Sequence, residues 1–299
     1  MKPFHSVLLP YYLIIVAYQA LPLDGKNRYS RDMSIRVLFL GEIVGKPGIQ
    51  TIKSALKNLR EEKQIDLVIA NGEGATGGFG LGRAHSMQLL KLGIDILTGG
   101  EKIYYKMDMV EFIAKNPSIL RPANYPQQNP GRGVRYLSVN DTKVCVINLL
   151  GNANFPRTHL SNPFTLAQML VERAKEEGCI TLVQFHASTT AEELTMGFML
   201  DGQVAAVIGT HNKVQTSDAR VLKKGTAYIT DNGRCGSQTS VGGFDPETEI
   251  MKQISQVPVR SSECWDDLAL VGVIVEIADD GKASNILPIK VPVLPKQEA

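Results

Sequence analysis

The 299 residues hold only four cysteines, Cys145, Cys179, Cys235 and Cys264, and no two stand in CxxC spacing. That argues against a cysteine zinc site and against a small scaffold stapled by disulfides. An excess of one charge is also missing: 32 Lys and Arg face 30 Asp and Glu, for a net charge of +2. The chain therefore has no basic footprint for a nucleic-acid polymer, no polybasic membrane patch and no acidic tail. The GxSxG and HExxH patterns are absent, and the glycine-rich stretch Gly41–Gly48 has neither GxxxxGK[ST] nor GxGxxG spacing. Aromatics are 6% of the chain and are not interleaved with basic residues as a base-stacking platform requires. There is no internal repeat, low-complexity tract or evident domain linker.

One long apolar run is present. Val7–Leu23 is uncharged and follows Lys2, the outline of a signal peptide, but it is short for a membrane span. Met33 stands directly before a strand pattern and makes a natural start. Residues 1–32 are accordingly read as an extension, either upstream of the true start or signal-like, and 33–299 as a single domain. The body is expected in the cytoplasm, or outside it if 1–23 is a signal peptide, with no membrane partner for 33–299.

From Ile35 onward, short β-branched strands alternate with helical patterns. Ile35–Leu40, Leu67–Ala70, Ile94–Thr98, Thr181–Phe185 and Val204–Ile208 read as strands. Ile49, Ile52, Leu56 and Leu59 share one face of a helix over 49–60, and further helices are expected near 83–92, 164–177 and 247–254. This rhythm points to an α/β fold with a largely parallel sheet covered by helices. Val134–Leu137 and Val144–Leu149 straddle Asn140-Asp141 as a hairpin, so the sheet is mixed. Residues 219–231 and 269–277 are expected as antiparallel strands, and Arg121–Pro126 as rigid loop.

Polar residues recur at the strand ends, where ligands bind in open α/β sheets. Glu42, Glu73 and Glu101 follow the first three strands, and His186 and His211 follow later ones. Such an oxygen and nitrogen donor set suits Fe, Mn, Zn or Ni. Each group also has a plain structural reading, as a helix cap, a loop carboxylate or a satisfied histidine. His5, His85 and His159 lack comparable settings.

Six motifs run in order: GEIVGKPG from Gly41, NGE from Asn71, RPANYP from Arg121, FHAST from Phe185, GTHNKVQTSD from Gly209 and GTAYITDNG from Gly225. Together they resemble the YmdB-like metallophosphoesterases, bacterial calcineurin-like proteins associated with cyclic-nucleotide phosphodiesterase chemistry. The resemblance spans essentially Ile35 to Pro295. It implies a four-layer α/β/β/α sandwich with mixed sheets and a two-metal centre, in which a metal-bound hydroxide attacks phosphorus. By the same resemblance Glu73 is the bridging carboxylate, and His186 and His211 are ligands of the second ion.

Five positions depart from the family pattern. Its first metal-binding aspartate is Glu42 here, and its asparagine after the NGE glutamate is Gly74. Its Gly-Asn-His triplet reads Gly100-Glu101-Lys102, and the second histidine of its THxH motif is Lys213. Glu42 displaces its charge by one methylene, about 1.5 Å, whereas Glu101 keeps or strengthens a ligand. Glu73, Glu101, His186 and His211 then form a candidate four-ligand site for one divalent ion of Fe, Mn or Zn. Lys213 brings an ammonium where the other ion belongs, near Glu42 and Glu73, so one ion is expected in place of two. Lys102 replaces the family's catalytic histidine; with a nominal pKa of about 10.4 it is a poor general acid but can clamp a phosphate oxygen.

Lys213, Arg121 and Asn124 are the candidate substrate-binding residues. The implied function is metal-dependent hydrolysis of a phosphodiester in a cyclic nucleotide or related small phosphorylated ligand. The alternative is an inactive pseudo-phosphoesterase that binds a nucleotide or a protein as a regulator. A homo-oligomer stays open, because no apolar surface seam can be told from core.

Overall fold

A computed structural model describes residues 35–155 and 160–293; the apolar segment 7–23 and His159 lie outside the described residues. Residues Met33–Ala299 form one compact unit.

The chain opens with β1 (Ile35–Leu40), β2 (Glu42–Ile43), α1 (Gly45–Glu62) and β3 (Leu67–Asn71). Next come α2 (Arg83–Lys91), β4 (Ile96–Thr98), α3 (Met107–Lys115) and β5 (Ile119–Leu120). The middle comprises β6 (Val134–Val139), β7 (Thr142–Leu150), α4 (Pro163–Glu176), β8 (Ile180–His186), α5 (Thr190–Met199) and β9 (Ala206–Thr210). The last third holds β10 (Arg220–Val221), β11 (Ala227–Ile229), β12 (Arg234–Ser237), α6 (Pro246–Ser255), β13 (Leu268–Ile277) and β14 (Ala283–Pro292).

These strands form two mixed sheets. One runs β2-β12-β13-β1-β3-β4-β5, with β14 also on β13; the other runs β10-β11-β9-β8-β7-β6. The alternation of side chains along each strand sorts the core into three layers. Val37 and Phe39 of β1 meet Val144 and Val146 of β7 and Ile208 of β9 between the sheets. Leu38 and Leu40 face the other way, onto Ile52 and Leu56 of α1. Ile147 and Leu149 face Ala167 and Val171 of α4. The result is the four-layer α/β/β/α sandwich, with two sheets inside and helices outside.

Agreements with the sequence reading and departures from it both have local causes. The hairpin turn falls on Asn140 and Asp141, both at positive φ, as a two-residue connection between twisted strands requires. Helix α1 begins at Gly45, inside the glycine-rich stretch and ahead of the helix expected over 49–60, because Pro47 is tolerated in a first helical turn, where amide donors lack intrahelical partners. The 219–231 region is only partly antiparallel: β10 pairs that way with β11, but β11 joins β9 in parallel. Strand β14 carries Pro288 and Pro292 and pairs only with β13, as befits an edge.

What matters for function is polarity. Strands β1, β3 and β4 are parallel in one sheet, and β7, β8 and β9 in the other. Their carboxyl ends deliver Glu42, Glu73, Glu101, His186 and His211 to the same end of the sandwich.

Candidate metal centre

His186 is the last residue of β8 and is fully buried. Its Nδ1 lies 2.9 Å from Thr210 Oγ1 and 3.1 Å from Asn71 Nδ2. The Asn71 amide is itself oriented, because its Oδ1 accepts from the Glu73 backbone N–H at 2.8 Å. The ring is thus held from behind, and Nε2 faces the centre. Glu101 reaches it from the turn after β4. That turn runs directly against the imidazole, since a Cβ at Gly100 would collide with the His186 ring. Only glycine fits there.

Three donor atoms converge. His186 Nε2 lies 3.0 Å from Glu101 Oε2 and 3.1 Å from His211 Nδ1, and His211 Nδ1 lies 4.0 Å from Glu101 Oε2. Ligands about 2.0–2.2 Å from a common ion stand roughly 3–3.5 Å apart, so two edges of the triangle fit an ion and the third needs slight closure. Among the described residues this is the cluster able to hold a metal ion. Glu101 therefore points at the two histidines, and three of the four donors expected at this site do meet.

The fourth does not. Glu73 is buried and turns its carboxylate onto the backbone N–H groups of Gly100, at 2.6 Å, and Lys102. It braces the Glu101 turn. Burial above all, then the neighbouring Glu101 charge, pushes its pKa up to about 7, against the opposing effect of His186 and the backbone donors.

Glu42 stands apart as well. It is 1% exposed, and its Oε1 lies 3.2 Å from Lys213 Nζ, an ion pair made on distance without hydrogen-bond alignment. A Cβ on Gly74 would come within 2.7 Å of that same oxygen. The longer glutamate thus occupies the space that a side chain at position 74 would need. Lys102 Nζ sits 2.9 Å from Glu101 Oε1. Two ammonium groups, each about four-fifths covered, therefore compensate the carboxylates of this pocket.

The electrostatics follow from these contacts. Burial works against a charged His186, but its contacts with Glu101 outweigh it and raise the pKa. Burial also disfavours ionised Glu101, yet His186 and Lys102 hold it well below the usual carboxylate range. Burial, then the adjacent His186, pushes His211 down to about 4, so it is neutral and free to ligate. For Lys102, burial is overcome by Glu101, Glu42 and Glu73, which raise its pKa. It stays charged.

The two remaining candidates serve the backbone. Arg121 donates to the carbonyls of Pro122 at 2.8 Å and Pro126 at 3.4 Å. Asn124 donates to Leu150 O at 2.7 Å and accepts from Leu150 N at 3.0 Å, tying the RPANYP loop to β7.

Several supporting residues were not singled out in the sequence. Asp231 is buried and accepts from Asn212 N at 2.6 Å and Gly233 N at 2.8 Å. Arg234 donates to Lys213 O at 2.8 Å. Between them they hold a strained loop, in which His211 and Lys213 have φ of 129° and 62°. Phe155 stacks on His186 at 6.2 Å and meets His211 edge-on at 5.2 Å. Asp231 does lie within the quoted GTAYITDNG motif, which was the available signal.

Residues 38–289 match the model of the YmdB-like protein family. The chain belongs to that family. It is 38% identical over 248 residues to a 2′,3′-cyclic-nucleotide 2′-phosphodiesterase of Bacillus subtilis, covering 83% of this chain and 93% of the relative. Among solved structures it resembles a phosphatase from Mycoplasma pneumoniae, with TM-score 0.81, 32% identity and coverage of 87% and 94%. A hypothetical protein from Thermus thermophilus superposes with TM-score 0.80 at 30% identity, over 87% of this chain and all of that one. This YmdB-like chain is a calcineurin-like metallophosphoesterase in fold and family, with an incomplete metal-binding set: three donors that fit one ion, beside a carboxylate already paired with lysine.

Proposed function

We propose that this YmdB-like chain is a one-ion phosphoesterase that hydrolyses the phosphodiester of a small cyclic nucleotide. The observation that carries the reading is the donor triangle of Glu101, His186 and His211. The substrate class rests on the phosphodiesterase from Bacillus subtilis, whose name specifies 2′,3′-cyclic nucleotides. A divalent ion of Fe, Mn or Zn held there would supply a Lewis acid for phosphoryl oxygen and a water of lowered pKa.

The chain's own groups do the rest. Glu101, His186 and His211 hold the ion, and Thr210 and Asn71 keep the His186 ring turned toward it. The ammonium groups of Lys102 and Lys213 offer fixed positive charge to the phosphodiester monoanion and to the further negative charge that develops in its transition state. Lys102, its pKa raised further by the carboxylates around it, is not a proton donor of matched pKa, and neutral His211 is not one either. The leaving alkoxide then takes its proton from water, forgoing the roughly 10²–10⁴-fold that a placed general acid contributes. Activity is expected to be slow for the family.

A second reading has its own support. The ion pairs Lys213–Glu42 and Lys102–Glu101 neutralise the pocket without any metal, which suits a nucleotide-binding protein that has given up turnover. Incubation with 2′,3′-cyclic AMP and added Mn²⁺ separates the two. Nucleoside monophosphate that appears with wild type and not with His211→Ala supports the enzyme. Binding of the nucleotide without product would support the binder, and neither binding nor product would contradict both.

A further inference from the structure

Glu193, in the first turn of α5, is fully buried yet holds no place in the donor triangle. A buried carboxyl needs polar partners, and those of Glu193 lie at the ends of two strands. Its Oε1 accepts from the backbone N–H of Ala187, the residue after His186, at 3.2 Å. That N–H is shared with the carbonyl of Thr210, the residue before His211, also at 3.2 Å. The Thr210 N–H bears on the same carboxyl. Gly197 makes this reach possible: a Cβ there would come within 2.5 Å of the Tyr228 ring, so α5 lies close against the sheet.

The second oxygen, Oε2, is buried with no aligned hydrogen-bond partner among the described residues. It sits over Gly209, where a Cβ would come within 2.6 Å of it and closer still to the Thr230 carbonyl oxygen. Two acceptor oxygens crowd one glycine, an arrangement that a proton on Oε2 relieves. Burial, then the neighbouring Asp231 charge, pushes the Glu193 pKa well above the usual carboxylate range, against the pull of the Ala187 and Thr210 N–H groups. The group is a neutral acid, with one oxygen to accept and one O–H to give.

We propose that Glu193 is a positioning residue, which ties the end of β8 to the end of β9 and thereby sets the spacing of the His186 and His211 rings. The strand ladder cannot do this alone. Its last paired residues are His186 and Thr210, and His211 leaves strand geometry at once, with φ 129°. His186 Nε2 and His211 Nδ1 nonetheless stand 3.1 Å apart, two apices of the donor triangle. A carboxyl that grips the backbone beside both rings supplies the missing constraint, as groups behind metal ligands commonly do. The consequence for a bound ion rests on the one-ion reading above; the ring spacing does not.

Ring ¹⁵N NMR on the metal-free full chain, paired with Mn²⁺ titration, tests this; His186 and His211 are two of only five histidines. Glu193→Gln, which keeps one acceptor and one donor, is expected to leave both ring signals in place. Glu193→Leu is expected to shift the two together. Under the one-ion reading, leucine weakens Mn²⁺ binding about tenfold or more, and glutamine by no more than about twofold. Should leucine unfold the chain, Glu193→Asp, one methylene shorter, makes the same comparison. A folded leucine or aspartate variant whose ring signals match wild type would overturn the proposal, whatever its Mn²⁺ affinity. Wild type that binds no Mn²⁺ would sink the one-ion reading instead, and the ring signals would still decide the role of Glu193.

Discussion

Lys213 Nζ lies 3.2 Å from Glu42 Oε1, so a buried carboxylate that could have faced a metal ion already has its cation. The lysine is tethered at φ 62° and held by Arg234 through its carbonyl oxygen. Glu42 and Gly74 fit the same arrangement, since the glutamate oxygen fills the space over the glycine. The departures from the family pattern at these three positions are thus one packed unit in space.

Removing the lysine exposes the cost of that unit. Lys213→Ala leaves Glu42 buried without a partner, and breaking a buried pair from one side costs about 3–5 kcal/mol, less here because Lys213 is partly solvated. Urea denaturation should show a loss of a few kcal/mol, partly restored by Mn²⁺ as the ion takes the vacated position. An unchanged midpoint without metal would mean the pair contributes nothing.

Gly100→Ala should be more damaging than an exposed glycine change. The added methyl has no room beside the His186 ring, so the turn carrying Glu101 must move. Overpacking of this kind costs about 1–3 kcal/mol and would open the donor triangle. The expected result is lost metal binding in a chain that remains folded, read by circular dichroism and metal content together.

Asp231, which holds the loop carrying His211 without being a donor itself, gives a pH signature. Burial, opposed by the N–H groups of Gly233 and Asn212, pushes its pKa from 3.8 up to about 7. Between those values the unfolded chain has lost the proton that the folded chain keeps. Its contribution to stability is therefore full below pH 3.8 and declines as pH rises toward 7, by up to about 1.4 kcal/mol per pH unit. Asp231→Asn should remove that slope. Urea titrations of both proteins between pH 4.5 and 7.5 measure it, and parallel curves would contradict the assignment.

Much of this was legible in the sequence, for reasons visible in particular elements. The Asn140-Asp141 turn and the apolar strands β1, β3 and β8 are dictated by local chemistry, and the polar residues after the strands had to converge once the sheets were parallel. Helix α5 was not legible because Gly197 interrupts its pattern; the glycine is there because a Cβ would come within 2.5 Å of the Tyr228 ring. Glu73 looked like a ligand until its partners, the N–H groups of Gly100 and Lys102, were placed by packing across β3 and β4. Arg121 and Asn124 are polar residues in a motif, and only tertiary structure shows that the backbone uses their donors.

Lys102 is expected to act through charge. Lys102→Gln should weaken binding of a nucleoside monophosphate severalfold, whereas Lys102→Arg should preserve it, as isothermal titration would show. Equal loss in both would point to a shape requirement instead.

The most direct test of the one-ion centre is metal content per chain by inductively coupled plasma mass spectrometry, on full-length protein never exposed to chelator. One equivalent of Fe, Mn or Zn is expected, lost in His186→Ala and in His211→Ala and retained in Lys213→Arg. Two equivalents in wild type would contradict the lysine-filled position, and no bound ion even after each metal is added back would contradict the donor triangle itself.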